Sequence, residues 1–276
     1  MKFTVLMSVY YKEKPEYLQL ALESIINQTV KPSEIVLVQD GKLTEELQAV
    51  ITEYLQNYPT IFKTYALKQN QGLGKALNFG MQKCSNELIA RMDTDDIAEP
   101  NRFELQIKEF EQDKELMLCG GQIAEFADNP AEITSYRNVP LKHNEILNFA
   151  KKRNPFNHMT VMFKKQAVQS VGGYMDMPYF EDYWLWARML KTGYKVKNIN
   201  QVLVKVRAGQ DMIARRGGNS YIKEIIKFER SICNLGLIDT STFTKMTIIR
   251  ILISIIPLGM RTIFYNKFLR KDGRKI

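Results

Sequence analysis

The sequence predicts an α/β fold with a mostly parallel central sheet. Short apolar runs rich in β-branched residues alternate with segments whose apolar positions keep helical spacing, a pattern typical of βαβ units. Polar and acidic residues follow several of the predicted strands, where the ligands of open α/β sheets bind. With 276 residues, 45% of them hydrophobic, the chain is long enough for one large domain or a domain with an appendage.

The first half of the chain carries the regular alternation. Buried strands are predicted at residues 3–10, 35–38, 62–67 and 86–90, with a further strand at residues 116–126. Helices are predicted to begin at Pro15, ahead of Leu47, after Lys75 and near Pro100. Right-handed crossovers bring the carboxyl ends of parallel strands to one edge of the sheet. We therefore expect Tyr10, Asp40 and Asp93 to converge there on a nucleotide.

The second half is less regular after Asn129. Strands are predicted at residues 133–139, 159–163 and 202–206, and helices at residues 143–152, 180–193 and 222–232. A turn is predicted at residues 172–174, and a loop rich in Gly and Arg at residues 207–218.

An acidic run, Asp93-Thr94-Asp95-Asp96, follows the predicted strand at residues 86–90. Three acids in four residues repel one another, so a bound cation would stabilise the cluster. Hard carboxylate oxygens suit Mg²⁺ or Mn²⁺, which complete their shells with phosphate oxygens and water. The run favours a metal-bridged diphosphate, and an acidic turn capping the helix near Pro100 is the alternative.

Three further runs are candidates for chemistry. Glu181-Asp182 precedes several aromatic residues, and a carboxylate in such surroundings can have a raised pKa and act as a general base. A helix N-cap would need the same residue types. The runs 72–75 (Gly-Leu-Gly-Lys) and 215–218 (Arg-Arg-Gly-Gly) could contact phosphate. A strand-to-helix turn explains the first run better, and solvated surface arginines explain the second equally well.

Charge and cysteine content limit the partners and the compartment. Three widely spaced cysteines form no disulfide framework and no metal-ligand spacing, and no signal-peptide cleavage site is evident, so a reducing cytoplasm is expected. Residues 240–276 contain eight Lys or Arg and one acid, and therefore carry +7 of the net +9. Because this charge lies beside an apolar stretch, it indicates an anionic membrane surface and argues against a nucleic-acid partner.

The tail combines this charge with isoleucines. The apolar stretch at residues 248–256 is interrupted by Arg250 and falls short of the roughly 20 residues that a spanning helix needs. Polar side chains recur at helical spacing: Thr247, Arg250, Ser254, Arg261 and Tyr265. We expect a helix lying on the membrane surface. Packing of the helix on the catalytic domain, or on a second subunit in a homodimer, is the alternative.

Several motifs, in order along residues 2–235, closely resemble those of the bacterial family-2 glycosyltransferases with the GT-A fold. The matching stretches are Ser8-Val9-Tyr10, Gln39-Asp40-Gly41, Gly72 to Asn78, Ala90 to Asp96, Pro100-Asn101-Arg102, Gly172-Gly173-Tyr174 and Glu181 to Trp186. The segment from Val206 to Gly218 is similar to transferases of exopolysaccharide, capsule and O-antigen synthesis, several of which transfer galactose.

The resemblance implies a catalytic domain at residues 1–235 with a Rossmann-like nucleotide-sugar-binding half at residues 1–128 and an acceptor half at residues 129–235. Residues 236–276 form the basic, membrane-associating helical tail. The implied enzyme transfers a hexose, with galactose the best guess, from a UDP-sugar to a lipid-diphosphate-linked saccharide, using Mn²⁺ or Mg²⁺. It would invert the anomeric configuration and work on the inner face of the cell membrane. The Gln-x-x-Arg-Trp signature of processive synthases is absent, which argues for one sugar per acceptor.

Residue roles follow from the same resemblance. Donor binding is assigned to Val9, Tyr10, Asp40, Lys75, Asn78, Arg91, Asp93, Arg215 and Arg216. Asp95 would be the main metal ligand, with Asp93 and Asp96 beside it. Asp182 would be the catalytic base, and Glu181 and Trp184 would contact the acceptor. One departure is the turn after Asp40, which lacks the second acid common in the family.

Two other functions remain open. A sugar-1-phosphate nucleotidyltransferase shares the α/β plan but would need a glycine-rich turn with a basic residue directly after the first strand, where this chain has Val9-Tyr10-Tyr11-Lys12. A non-catalytic, membrane-bound nucleotide-sugar-binding protein would not need both acidic pairs, Asp93/Asp95 and Glu181/Asp182.

Overall fold

One continuous sheet runs through the chain in the computed structural model, which describes residues 1–208, 217–264 and 271–272. The strands are β1 (Phe3–Val9), β2 (Glu34–Gln39), β3 (Phe62–Ala66), β4 (Leu88–Arg91), β5 (Ile97–Ala98), β6 (Leu116–Phe126), β7 (Ile133–Arg137), β8 (Met162–Lys164), β9 (Lys195–Arg207) and β10 (Lys271–Asp272). The helices are α1 (Pro15–Ile26), α2 (Glu45–Asn57), α3 (Leu73–Lys83), α4 (Arg102–Gln112), α5 (His143–Phe149), α6 (Lys165–Ser170), α7 (Glu181–Lys191), α8 (Asn219–Asn234), α9 (Thr240–Ile255) and α10 (Leu258–Phe264).

The strand order is β10-β7-β6-β8-β4-β1-β2-β3, with β9 pairing both β6 and β5. The four strands β3, β2, β1 and β4 are parallel, which confirms the predicted α/β fold and its parallel first half. Strand β8 lies between β4 and β6 and runs antiparallel to both. Strand β9 runs parallel to β6 along almost its whole length.

The sheet is buried on both faces. Along β1, Leu6 points into one apolar cluster while Val5 and Met7 point into the other. One cluster contains α3, α7 and α8, and the other contains α1, α2 and α4. Near-continuous apolar runs such as those of β1 and β2 are therefore what two buried faces require.

Helix α3 lies very close to the sheet. A Cβ atom added to Gly80 would come within 2.5 Å of Leu6 Cδ1 and 2.6 Å of Val38 Cγ2. Glycine at this position allows the helix to pack directly on β1 and β2, at the cost of some helix propensity. The first turn of α3 is thereby held at the carboxyl edge of the parallel strands.

Several elements differ from the sequence analysis. The strand predicted at residues 159–163 begins only at Met162, because residues His158–Thr160 form a 3₁₀ turn. Helix α6 and the short strand β5 were not predicted. Strand β9 begins at Lys195, seven residues earlier than predicted, since its first half is polar. Asn198 in this half is buried and donates hydrogen bonds to the carbonyls of Pro140 (2.7 Å) and Pro155 (3.1 Å).

The tail packs on the body of the protein through polar side chains and through Phe243 and Ile251, which lie against the apolar cluster of α7 and α8. Arg250 Nε of α9 lies 2.5 Å from Oε1 of Glu229 on α8, and Ser254 and Arg261 are also buried. Six other apolar residues of the tail face outward. We call these residues the tail patch, and they are Ile248, Ile249, Leu252, Ile255, Leu258 and Met260.

This orientation changes the account of the tail's charge. Arg250 and Arg261 turn inward, so they do not contribute to the outward positive charge that the composition of the tail suggested. The strand β10 pairs with β7, which ties a later part of the tail to the sheet. Within the described residues, no helix combines the length and hydropathy needed to cross a membrane.

Candidate active site

The ends of β1 and β2 bring three predicted donor-binding residues together. Val9 is buried, and its carbonyl accepts a hydrogen bond from the amide of Asp40 at 2.8 Å. Tyr10 follows directly and is exposed. The carboxylate of Asp40 accepts hydrogen bonds from the amides of Gln71 (2.7 Å) and Gly72 (2.9 Å). Asp40 therefore also holds the turn that leads into α3.

The first turn of α3 presents Lys75 to solvent, and Asn78 in the next turn joins the helix to the second half of the chain. The Asn78 amide donates to the carbonyl of Tyr174 at 2.6 Å and accepts from the Tyr174 amide at 2.9 Å. A Cβ added to Gly173 would lie 2.5 Å from Asn78 Oδ1, so only glycine leaves room for this contact. In this structure the Asn78 side chain links α3 to the turn at residues 172–174. Its contact with the nucleotide-sugar stays a prediction.

The acidic run forms a compact cluster after β4. Carboxylate oxygens of Asp93, Asp95 and Asp96 all lie within 4.8 Å of one another. Asp93 is paired with both terminal nitrogens of the buried Arg91, and Asp96 accepts from the amide of Arg207 at 2.9 Å. Among the described residues, no side chain donates a hydrogen bond to Asp95. Asp95 is thus the carboxylate best able to accept an added ligand.

Electrostatics in the cluster favour a cation. Desolvation raises the pKa of Asp95 to about 7, and repulsion from Asp93 and Glu13 adds to the shift. Burial also raises the pKa of Asp96 well above its usual value. The hydroxyl of Thr94 donates to Glu13 at 2.7 Å, which brings a fourth carboxylate to this edge. Closely spaced acids with raised pKa values and hard oxygen atoms fit a divalent metal ion.

The second acidic pair occupies the first turn of α7. Asp182 accepts hydrogen bonds from Nδ2 of Asn154 (2.6 Å) and from the amide of Tyr183 (2.7 Å). Desolvation raises the pKa of Asp182, and these two bonds oppose the shift. Desolvation and repulsion from Asp182 raise the pKa of Glu181 to about 7. Oε2 of Glu181 is buried and has no hydrogen-bond partner among the described residues.

The nucleotide-sugar-binding half and the acceptor half, as predicted from the sequence, come into contact at Gly74. A Cβ added to Gly74 would lie 3.4 Å from Cβ of Tyr174 and 3.7 Å from Cβ of Glu181. The first turn of α3 therefore lies against the first turn of α7. This contact brings the acidic pair to the edge of the sheet where the residues after β1, β2 and β4 converge.

The remaining predicted residues are Trp184, Arg215 and Arg216. Trp184 is half-buried and stacks near the guanidinium of Arg188, which donates to the carbonyls of Val171 and Gly173. Its contact with an acceptor stays a prediction. Arg215 and Arg216 lie outside the described residues.

The structure adds residues that the sequence did not single out for chemistry. These residues are Glu13, which accepts a hydrogen bond from Thr94, and Asn154, which donates one to Asp182. No local sequence motif marks either residue. Asn154 contacts an acid 28 residues away in the sequence. His158 has Nε2 2.8 Å from the hydroxyl of Tyr174. Desolvation and the positive charge of Arg91 lower its pKa well below the usual value, so it is neutral at pH 7.

Comparison with known proteins identifies relatives along the whole chain. The profile described as "Glycosyl transferase family 2" matches residues 4–174. The amylovoran biosynthesis glycosyltransferase AmsE of Erwinia amylovora is 42% identical over 265 residues, covering 96% of this chain and 98% of that protein. The UDP-Gal:alpha-D-GlcNAc-diphosphoundecaprenol beta-1,3-galactosyltransferase of Escherichia coli is 38% identical over 270 residues, covering 98% and 97%.

A solved structure supports the fold. The crystal structure of S. aureus TarS 1-349 in complex with UDP-GlcNAc superimposes with a TM-score of 0.65. The match covers 90% of this chain and 70% of that chain, at 15% sequence identity. At this identity the likeness concerns the arrangement of helices and strands.

Proposed function

The chain belongs to glycosyl transferase family 2, and from this premise we propose that it transfers galactose from UDP-galactose to a lipid-diphosphate-linked saccharide. The observation that carries the proposal is the contact at Gly74, which joins the acidic pair of α7 to the carboxyl edge of the parallel strands. An acceptor and a nucleotide-sugar can meet only where two such surfaces adjoin. The choice of galactose and of a lipid-linked acceptor rests on the activity of the E. coli relative.

The donor site is proposed at the ends of β1 and β2. Each oxygen of Asp40 already accepts one amide hydrogen bond, and a carboxylate has about four lone-pair positions, so Asp40 keeps capacity for the ring N–H of uracil. Val9 and the exposed Tyr10 flank the same position. Lys75 would contact the diphosphate from the first turn of α3, and Arg215 and Arg216 are proposed to reach it as well.

The metal site is proposed at the acidic run. Asp95 would be the main ligand, and Asp93 and Asp96 would supply further oxygens from positions fixed by Arg91 and Arg207. A bound Mn²⁺ or Mg²⁺ would neutralise negative charge on the diphosphate that leaves. The guanidinium of Arg91 orients Asp93, and the positive field of Arg91 extends to the acidic pair of α7.

Asp182 is proposed to act as the general base. Its carboxylate takes the proton of the acceptor hydroxyl while that oxygen forms a bond to the anomeric carbon of the sugar. The bond between the anomeric carbon and the diphosphate oxygen breaks, and UDP leaves with the electron pair. A single displacement of this kind inverts the anomeric configuration and adds one sugar per encounter. Glu181 and Trp184 are proposed to contact the acceptor.

The tail patch is proposed to lie on an anionic membrane, at the inner face of the cell membrane where a lipid-linked acceptor would be reached. Its six apolar side chains are between 38% and 62% exposed, an arrangement typical of a surface that meets lipid or another protein. Lys245 on the same helix is exposed. Lys151 and Lys152 are also exposed. They lie next to this helix, since Arg250 donates a hydrogen bond to the carbonyl of Lys152. Such lysines favour anionic lipid over a second copy of the chain.

The experiment that tests the proposed function is a transfer assay with defined substrates. Purified protein is incubated with Mn²⁺, one of several radiolabelled UDP-sugars, and GlcNAc-diphosphate carrying a short alkyl chain. We expect transfer from UDP-galactose to exceed transfer from UDP-glucose and UDP-GlcNAc. Release of pyrophosphate from UTP and a sugar 1-phosphate would instead identify a nucleotidyltransferase. Binding of UDP-sugars without transfer to any acceptor in a polysaccharide precursor panel would favour a non-catalytic protein.

A further inference from the structure

We propose that Asn154 is a positioning residue for Asp182, and that Arg250 of the tail holds the segment that carries Asn154. The inference rests on the proposed role of Asp182 as the base. It assigns a function to residues 150–154, a connection after α5 that matches no motif, and it links the tail helix to the reacting edge of the sheet.

The contacts of Asn154 fix the direction in which it donates. Its Nδ2 lies 2.6 Å from Oδ2 of Asp182, and its Oδ1 accepts from the amide of Phe156 at 3.2 Å. Because the oxygen is occupied by an N–H donor, the NH₂ group must be the one that faces Asp182. The main-chain carbonyl of Asn154 accepts in turn from Nη2 of Arg137 at 2.8 Å.

The other end of the segment is fastened to α7 and to the tail. The hydroxyl of Tyr183 donates to the carbonyl of Ala150 at 2.8 Å. Nη2 of Arg250 donates to the carbonyl of Lys152 at 3.0 Å, while its Nε pairs with the buried Glu229. Residues 150, 152 and 154 are therefore each tied either to α7 or to α9. A displacement of the tail helix would move the segment that aims Asp182.

The charges around Asp182 explain why one amide matters. Arg137 of β7 and Arg91 of β4 favour the ionised carboxylate, whereas Glu181 beside it and desolvation disfavour it. Burial raises the pKa of the Tyr174 hydroxyl, and the negative charge of Asp182 adds to that shift, while the hydroxyl itself contacts His158. Asn154 supplies a hydrogen bond that only the ionised form of Asp182 accepts at full strength. Without the hydrogen bond from Asn154, Asp182 would be protonated over a wider pH range. Its carboxylate would also be less well oriented toward the acceptor hydroxyl.

The first test is the pH dependence of kcat/KM in Asn154→Ala and Asn154→Asp. Hydrogen bonds to charged groups are strong enough that their loss should move the acidic limb to higher pH by about one unit. Asn154→Asp keeps the shape of the side chain and its contact with Phe156 but replaces the donor with a second carboxylate. Repulsion between the two acids should move the acidic limb further to higher pH than in the alanine variant, so this variant remains informative if the alanine variant fails to fold. Asn129→Ala, in an exposed turn, is the matched control and should behave as wild type.

Two further measurements separate positioning from a general structural role. The Kd of UDP with Mn²⁺ should be unchanged in both Asn154 variants, because the hydrogen bonds of Asn154 go to Arg137, Asp182 and Phe156, none of which is assigned to the donor site. Repeating the profiles in a Glu181→Gln background removes the titration of Glu181 from the curve. Variants that lower thermal stability or UDP affinity while keeping the wild-type acidic limb would overturn the proposal.

The second test concerns Arg250. Glu229→Gln removes the buried charge but leaves Arg250 bonded to the carbonyl of Lys152, whereas the double variant Arg250→Met with Glu229→Gln removes both contacts without leaving a buried unpaired acid. We expect the single variant to keep near-wild-type kcat and the double variant to lose about tenfold or more. Equal kcat in the two proteins would refute the role of Arg250. If Asp182→Asn itself retained full turnover, the proposed function of Asp182 would fail instead.

Discussion

Arg91 and Asp93 form a two-point ion pair at the carboxyl end of β4, with Nη1 of Arg91 2.6 Å from Oδ2 of Asp93. Arg91 is 1% exposed, so Asp93 is the counter-ion that keeps this buried guanidinium stable. Asp95, two residues later, has no paired cation among the described residues, and desolvation, followed by repulsion from Asp93 and Glu13, raises its pKa toward the neutral form. Two carboxylates of the same turn thus differ in their effect on stability: Asp93 stabilises the fold by pairing with Arg91, whereas unpaired Asp95 destabilises it.

The first prediction compares these two acids. Asp95→Asn should abolish the Mn²⁺-dependent part of UDP binding and leave the melting temperature unchanged or slightly higher, because it removes a destabilised carboxylate. Asp93→Asn should lower the free energy of unfolding by roughly 3 kcal/mol, since it leaves Arg91 uncompensated. Calorimetric UDP titration and thermal unfolding measure the two effects. Full transferase activity in EDTA would contradict the proposed metal site.

The second prediction concerns the base. Asp182→Asn should bind UDP-galactose with Mn²⁺ as wild type does, but transfer at least about 10²-fold more slowly, because the acceptor hydroxyl loses its proton acceptor. Donor binding by calorimetry and single-turnover transfer are the measurements. Loss of donor affinity at an unchanged turnover rate would assign Asp182 to binding instead.

A third prediction separates the two sides of the tail. Leu252→Asn with Ile255→Asn changes only the exposed tail patch, so the protein should stay folded yet sediment less with anionic liposomes. Wild-type binding should weaken in high salt, since exposed charges are screened over about 8 Å at physiological ionic strength. A change from dimer to monomer, with no effect on liposome binding, would identify the tail patch as a contact between two copies.

Deleting residues 240–276 should have a different outcome from the patch variant. The deletion exposes the face of α8 and leaves the buried Glu229 without Arg250, so we expect a lower melting temperature together with loss of activity. The tail is therefore expected to stabilise the catalytic half as well as to contact lipid. A truncated protein with wild-type stability and activity on a soluble acceptor would show that the packing contributes little.

The fourth prediction concerns acid stability at Glu34. Burial alone would raise the pKa of this carboxylate, but hydrogen bonds from Lys63, Ser85 and Thr4 outweigh it and lower the pKa to about 2. A folded-state pKa below the unfolded value of 4.5 contributes stability above about pH 4.5, which is lost as the pH falls toward 2. Glu34→Gln should remove on the order of 2–3 kcal/mol at pH 7 and flatten this pH dependence. Urea unfolding between pH 7 and 3 measures it, and parallel curves for the two proteins would contradict it.

Much of the fold could be predicted because a sheet that is buried on both faces has strands with uninterrupted apolar sequences. The runs of β1 and β2 are apolar residue after residue, and Pro15 marks the start of α1. Asp40 and Asp93 could be placed together for the same reason, since the ends of parallel strands share one edge. The start of β9 could not be predicted, because the hydrogen-bond acceptors of its buried Asn198 are carbonyls far away in the sequence.

The site was less predictable where one side chain depends on another. The pattern of Thr247, Arg250 and Ser254 reveals a polar stripe, but the stripe faces the protein only because Glu229 is buried opposite it. Asn154 carries no local signal at all, since its partner is on another helix. Periodicity locates a face of a helix, and the complementary charge on its neighbour decides what that face contacts.

The position of β8 between β4 and β6 also has a consequence for biosynthesis. Strand β4 has a partner on one side as soon as β1 is present, but its other edge stays open until Met162–Lys164 has left the ribosome. That delay spans roughly seventy residues, or about 4–14 s at typical elongation rates. During this interval the nascent chain exposes an apolar edge next to the acidic run, and an unpaired edge of this kind is a template for aggregation. The nascent protein is therefore expected to need chaperone protection until the middle of its second half has been synthesised.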